Sequence, residues 1–553
     1  MAKKKKRVRF KKWFVYTVLG LIVFLCLFIL LKTVPVFVVM EGDKTMTLEV
    51  HSEFVDPGAY NRFTKKPITP KGTVDVDTLG KYRLKYSSFL QSFSRTVKIV
   101  DTTAPVLTLT GRDYILIPIN SEYVDAGVTA IDNYDGDITK DVKVKNNVDT
   151  TKAGEYQITY TSKDSSRNEA TITRTVKVSD DDFDYAGTIT NDAGVSDQMI
   201  NEIKNVMNAY YRSIKYLDPQ DTTSLFHSEY RRYAYLFNKG IELMVNARKD
   251  SINNLVLDDC HYDLLISSIE DAPYGEKEVT VWEDGYYNFH HLPGVESRQH
   301  NVENRFFFRY DNGEYKITSV NHIEGAFIYL DDQFTSTSDY KTLIDDLGNK
   351  YTEAYNSSVR QLEQNRQDVN SGKADKSGIR TAAHPYDRNK AVEYAKQYGT
   401  VRNLQYPYYG SNCMNFVSQC MHAGGIPYDT TGAYQWKNFQ GYYDPSDGEN
   451  GFTYAFIHIY YFQNYIEGID DGMVVDQNLN LYLGEPGDIV YVDSSTSEYG
   501  DMAHVILITD VIKDSEGNIV DYLVCGNTND QYCFPLSAMG SVYKQLAKVE
   551  GYN

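Results

Sequence analysis

The stretch YYGSNCMNFVSQCMHAGG, residues 408–425, decides how the last third of this chain is read. Gly410-Ser411-Asn412 has the chemistry of a turn, and Cys413 follows it directly. From Cys413 onward Phe416, Val417, Cys420 and Met421 recur at helical spacing, until Gly424-Gly425 stops the run. Cys413 is therefore expected on the first turn of a short helix, where unpaired N–H groups and the positive dipole end favour a thiolate. Cys420, two turns further in, has no such help and reads as core.

A thiolate nucleophile needs a base. Downstream, GEPGDIVYVD (484–493) has a Gly-Asp turn feeding a strand, and MAHVILITDVI (502–512) is a second strand with His504 at its start. KDSEGN (513–518) turns into IVDYLVCGNTND (519–530), a third strand ending at Asn527. A helix start bearing Cys, a strand start bearing His and a polar residue on the adjacent strand form the arrangement of papain-like cysteine hydrolases. In that scheme Cys413 attacks, His504 takes and returns the proton, and Asn527 or Asn529 orients the imidazole. His458, inside YAFIHIYYF, and His422, near the end of the cysteine's own helix, are poorer bases.

Residues 384–550 resemble the bacterial "putative amidase domain" family, related in fold to NlpC-type and CHAP cysteine peptidases and amidases. The matching residues are YDRNKAVEYAKQYG (386–399), NCMNFVSQCMHAGGIP (412–427), PGDIV (486–490) and AHVILITD (503–510). The resemblance implies a hydrolase of amide bonds with Cys413 and His504 as its catalytic pair; no CxxC pairs suggest zinc, and no cofactor is expected. Two positions depart from the family's pattern. Asn412 stands where the family usually has Asp, and the third member, often His, is here an asparagine. Ser411 or Asn412, with the Cys413 backbone N–H, could bound an oxyanion hole worth ~3 kcal/mol. Tyr406, Tyr408, Tyr409, Trp436, Tyr442 and Tyr443 could line a substrate groove, although ordinary core and rim aromatics would look the same.

The N-terminus supplies a location. Residues 1–12 carry eight Lys/Arg and no acid, so the rest of the chain is more acidic still than the net charge of -19. An acidic body is repelled by nucleic-acid phosphates, which excludes that class of partner. Trp13 to Leu31 is a run of nineteen uncharged residues, about 28 Å of helix against a hydrocarbon core of about 30 Å. Residues 13–32 are read as a transmembrane anchor with the basic tail (1–12) cytoplasmic and the body outside; KTVPVFVVM after it offers no small-x-small cleavage site.

Two repeats follow. HSEFVDPGAY (51–60) returns as NSEYVDAGVT (120–129), and RTVKIVD (95–101) as RTVKVSD (174–180). Short alternating strands broken by Gly, Pro and Asp turns predict two all-β sandwiches at 34–102 and 104–181, which resemble the bacterial Ig-like repeats of Gram-positive surface proteins. They read as spacers, with a protein partner as a further possibility. Asp132, Asp135 and Asp137 could bind calcium, but plain Asp/Gly turn chemistry accounts for them more simply.

Residues 195–335 begin with an amphipathic helix after Ser196 and continue into strand runs with a DNG hairpin turn at 311–313, the pattern of a cone-shaped, cystatin-like α+β domain. A polar helix (about 339–368) and a Lys/Ser/Gly-rich linker within 336–383 then lead to the papain-like α+β domain, 384–553. Six cysteines are too few for a disulfide framework; a Cys525–Cys533 or Cys420–Cys533 bridge stays open.

The sum is a multidomain, membrane-anchored, outward-facing cysteine hydrolase. Its expected substrate is an amide bond of peptidoglycan or of a cell-surface peptide, either muramoyl–alanine or within the stem. The alternatives are a surface binding or adhesion protein with an inactive amidase-like domain, and an ordinary endopeptidase or transpeptidase.

Overall fold

The computed structural model describes residues 12–553 apart from 35, 89–90, 323–324, 336, 408, 432–434, 439–450, 470–471 and 494–503. The basic tail and Tyr408, Tyr442 and Tyr443 therefore lie outside the described residues. Helix α1 (Lys12–Thr33) is long and apolar enough to cross a membrane by length and composition.

The chain divides into two compact units. The first holds most of the Ig-like repeats. In the first repeat the strand Gln91–Val100 runs antiparallel to Gly80–Ser88 and parallel to Thr45–Glu49. The second repeat pairs Val106–Leu109 with Val128–Asp132. The repeated residues have a shared physical cause. In the first copy the buried Arg95 pairs with Asp56, which also accepts the Tyr86 hydroxyl at 2.6 Å. In the second the buried Arg174 pairs with Asp125, which accepts the Tyr160 hydroxyl at 2.6 Å. A fully desolvated guanidinium is tolerated only with a carboxylate and further acceptors around it, so the three positions recur together.

The second unit contains the rest of the chain. Helices α2 (Asp197–Tyr216) and α3 (Arg231–Asp250) precede four antiparallel strands, β1 (Leu257–Ala272), β2 (Glu276–Phe289), β3 (Ser297–Asp311) and β4 (Glu314–His322). Ser196 caps α2 by accepting the Met199 N–H, and Met199, Ile203, Val206, Tyr210 and Ile214 form its buried face. Helix α4 (Tyr340–Asn370) follows, then α5 (Arg388–Tyr398), α6 (Cys413–Ala423), and strands β5 (Ile489–Asp493), β6 (His504–Lys513), β7 (Ile519–Gly526), β8 (Asp530–Pro535) and β9 (Tyr543–Tyr552).

Sequence reading separates 195–335 from 384–553; hydrogen bonding joins them. Strand β3 pairs antiparallel with β8 through Arg298–Tyr532, Gln299–Gln531 and His300–Asp530. Among the described residues a single sheet then runs β1-β2-β3-β8-β7-β6-β5-β9. Alternation along the later strands explains why they read as unbroken apolar runs. Ile506, Ile508, Val490 and Val492 face a core shared with α2, α3 and α4, whereas Val505, Leu507, Ile489 and Tyr491 face a second core under α5 and α6. Both faces are covered, so the run Val505–Ile508 is apolar on each side and shows no alternation.

The expected helix and the linker after it are likewise tied down. Arg366 donates to Asn253 Oδ1 at 2.9 Å and to the Val520 carbonyl at 3.0 Å, and Arg380 binds the buried Asp476 through its backbone N–H at 2.7 Å and through Nε at 2.5 Å.

Candidate active site

Cys413 is the first residue of α6, as its position after a turn predicts. The helix start was expected to hold its thiol down, but Cys413 is only 7% exposed. Burial pushes the thiol above its ordinary range, against the backbone N–H groups of Val505, Met414 and Cys413 itself, which favour the thiolate. Desolvation wins, and the resting side chain is a neutral thiol. The Val505 N–H on the sulfur also brings the start of β6 to the start of α6.

The residue before Val505 is His504, half-buried at the first position of β6. Its Nε2 lies 3.3 Å from Gln531 Oε1. Burial lowers the imidazole pKa below its ordinary value, while the Gln531 bond and the Asp530 charge partly oppose this. Neutral imidazole with Nε2–H donated to Gln531 leaves Nδ1 as the basic nitrogen. This contact requires Gly526. A Cβ there would come within 2.7 Å of Gln531 Oε1 and 3.5 Å of His504 Nε2.

Asn527, expected on the imidazole, faces elsewhere. Its Oδ1 accepts Asn412 Nδ2 at 2.9 Å, and its Nδ2 donates to the carbonyls of Gly399 at 3.0 Å and Tyr398 at 3.3 Å, beyond the end of α5. Asn529 belongs to the β7–β8 turn, in which Thr528 and Asn529 both have positive φ, 74° and 48°. That is the mirror-image turn of tight hairpins, and it returns Gln531 opposite Gly526. The hairpin was the sequence signal for Gln531: a two-residue turn after Asn527 sends the chain back along β7. Behind Gln531, the fully buried Asp530 is gripped by Arg402 at 2.7 and 2.9 Å, by Asn301 Nδ2 at 2.8 Å and by the Thr528 N–H at 2.9 Å.

Two further expectations change. Asn412 is turned into the protein, not toward an oxyanion. Its Oδ1 accepts the Tyr409 N–H at 3.3 Å and Asn415 Nδ2 at 2.9 Å, and its backbone N–H donates to Thr528 Oγ1 at 2.8 Å. Trp436 is no groove wall. It is 0% exposed, donates Nε1–H to Ser418 Oγ at 3.1 Å, and packs 4.9 Å from Phe456. Tyr406 is buried in the same core, while Tyr409 is half-buried with its ring edge-on to Phe452 at 5.7 Å. Ser411 is exposed on the turn before the helix. His422 stacks on Tyr428 at 3.9 Å and bonds the Ile426 carbonyl at 2.9 Å, and His458 lies edge-on to Tyr461. All six cysteines are free thiols, so neither bridge left open by the sequence is formed.

Residues 385–549 match the family described as "Putative amidase domain". Residues 38–99 and 107–178 match "Bacterial surface protein, Ig-like domain". The chain thus matches the first family over its last third and the second over its two N-terminal repeats. It is 51% identical over 45 residues to the uncharacterized protein YhbB of Bacillus subtilis (strain 168), covering 8% of this chain and 14% of that one. It is 29% identical over 155 residues to the uncharacterized protein YjcM of the same organism, covering 27% and 32% respectively. The chain therefore spans less than a third of the length of each of these curated relatives. Among solved structures, the lipoprotein BT2262 from Bacteroides thetaiotaomicron is 31% identical over 13% of this chain and 37% of that one, with a TM-score of 0.13.

Proposed function

We propose that residues 384–553 form a cysteine-dependent hydrolase of amide bonds, held outside the cell by helix 13–32 and directed at peptidoglycan. The observation that carries this reading is Cys413 on the first turn of α6, its thiol beside the Val505 N–H, one residue from a histidine whose Nε2 lies 3.3 Å from Gln531 Oε1.

The chemistry follows from the resting protonation states. As Sγ attacks the carbonyl carbon, His504 Nδ1 takes the thiol proton, so the pair is activated at the moment of attack and not stored as an ion pair. The imidazolium then gives that proton to the departing amine as the C–N bond breaks. Water, deprotonated by the same histidine, releases the acyl group and regenerates the thiol. Backbone N–H groups at the start of α6 are the donors available to the oxyanion. The papain-like assignment rests on these roles, with Gln531 in the orienting position.

Peptidoglycan follows from place: surface Ig-like domains and an apolar N-terminal helix suit an enzyme facing the wall, and either muramoyl–alanine or a stem-peptide bond fits. The test is digestion of purified peptidoglycan by the full chain, wild type against Cys413→Ala, with products identified by mass. Fragments absent from the variant establish the hydrolase and name the bond. A second reading, a wall-binding protein without turnover, is favoured by the burial of Cys413. Equal wall binding by both proteins with no product would select it.

A further inference from the structure

Asp101, Asp132 and Asp164 each bring a carboxylate oxygen within 4.8 Å of the others, and all three residues are buried. Asp101 closes the first Ig-like repeat, Asp132 ends the strand Val128–Asp132 of the second, and Asp164 follows the strand Gly154–Lys163. Among the described residues none of them forms an ion pair. Part of their capacity is used. Asp132 Oδ1 accepts the N–H groups of Tyr134 and Asp135 at 2.9 and 2.8 Å, Asp101 Oδ1 accepts the Thr103 N–H at 3.3 Å, and Asp164 is held by Asn168 through two bonds of 2.7 Å. Yet Oδ2 of Asp101 and Oδ2 of Asp132 have no hydrogen-bond partner, although the residues are only 6% and 3% exposed. Two orphaned carboxylate oxygens in a desolvated acidic trio are the mark of a missing positive charge.

We propose that these three aspartates bind a hard divalent cation, Ca2+, at the seam between the two Ig-like repeats. The donors are oxygens alone, with neither imidazole nor thiolate, which selects Ca2+ or Mg2+ over zinc and copper. Irregular loop ligands from separate strands suit the flexible coordination of Ca2+ better than the strict octahedron of Mg2+. The acidic run 132–137 is not itself the ligand set. Asp135 is used on the Ser165 N–H and hydroxyl at 2.6 and 2.8 Å and Asp137 on the Thr139 N–H at 3.0 Å, while Asp132 joins two residues far away in sequence. The seam around the site is built from both repeats. Tyr134 packs on Val50, Val97 and Ile99 of the first, and Asn168 Nδ2 donates to the carbonyls of Asp101 and Thr103 at 3.2 Å. A bound cation would join the two repeats at a fixed angle.

The experiment is calorimetric titration of CaCl2 into the chelator-stripped, detergent-solubilised full chain. We expect one saturable site, weakened at least tenfold by Asp101→Asn or Asp164→Asn and unchanged by Asp137→Asn. No saturable binding up to about 10 mM, above the ~10⁻⁴–10⁻³ M range of extracellular calcium modules, would overturn the proposal, as would equal binding by folded Asp101→Asn. If the Asn variants fail to fold, the wild type still decides. Ca2+ must raise the thermal midpoint over that in EGTA, and by more than an equal concentration of Mg2+; no shift rejects the site.

Discussion

Asn412 Nδ2 donates to Asn527 Oδ1 over 2.9 Å, so the residue expected at the oxyanion and the one expected on the imidazole are instead hydrogen-bonded to each other. An acid at the first position and a histidine at the second would make a charged pair. Two asparagines keep the bond and remove the charge.

The pair should therefore be coupled. Asn412→Asp alone places a carboxylate against Asn527 Oδ1, and an amide flip that relieved it would break the bonds to the Tyr398 and Gly399 carbonyls. We expect a loss of ~1–3 kcal/mol. The Asn412→Asp/Asn527→His double variant should recover part of that loss. Denaturant unfolding of the four proteins measures the cycle, and additive effects would show that the pair is not a unit.

Gln531 should act on His504 and Asn527 on the fold. Gln531→Ala is expected to lower kcat at least tenfold and to move the acid limb of the pH profile further down, since its bond favours the protonated imidazole. Asn527→Ala should lower stability by ~1–3 kcal/mol, by orphaning Asn412 and two carbonyls, while leaving the pH profile in place. Rates on wall peptides from pH 4 to 9, alongside unfolding curves, separate the two.

Burial lowers the His504 pKa and raises that of Cys413. The base is neutral until the pH falls below the ordinary histidine value of 6.5, so the acid limb of kcat/KM should lie below that value. The same shift makes folding lose stability as the pH falls below 6.5, because the unfolded chain takes up the proton first. Iodoacetamide should label Cys413 slowly at pH 7, with a rate still climbing beyond the ordinary thiol value of 9.0. Fast labelling at neutral pH would instead reveal a stored thiolate–imidazolium pair.

Residues 384–553 expressed alone should fold poorly. Cutting there removes β3 from β8, the strand that carries Gln531, and uncovers Ile506, Ile508, Val490, Val492 and Leu546. Low solubility and rapid amide exchange in β8 are expected, against slow exchange in the full chain. A monomeric, fully active fragment would show that the shared sheet is dispensable.

The parts legible in the sequence were local. A turn before Cys413 and a Gly-Gly after the helix mark α6, an apolar run marks β6, and the Asp311-Asn312-Gly313 turn joins β3 to β4. The parts that failed depend on partners distant in the chain. Gln531 is opposite His504 only because the hairpin returns it there, and Trp436 looks like a groove aromatic until Ser418 and Phe456 close around it. The union of the two α+β parts hangs on three residue pairs between β3 and β8, and no periodicity within either strand encodes its neighbour.

Strand β9, residues Tyr543–Tyr552, lies beside β5 and also pairs with His384–Pro385, at the far end of the same domain. A chain synthesised N-terminus first therefore holds Cys413 long before the sheet beneath it can close, so the candidate site is completed only once residues 543–552 have been made.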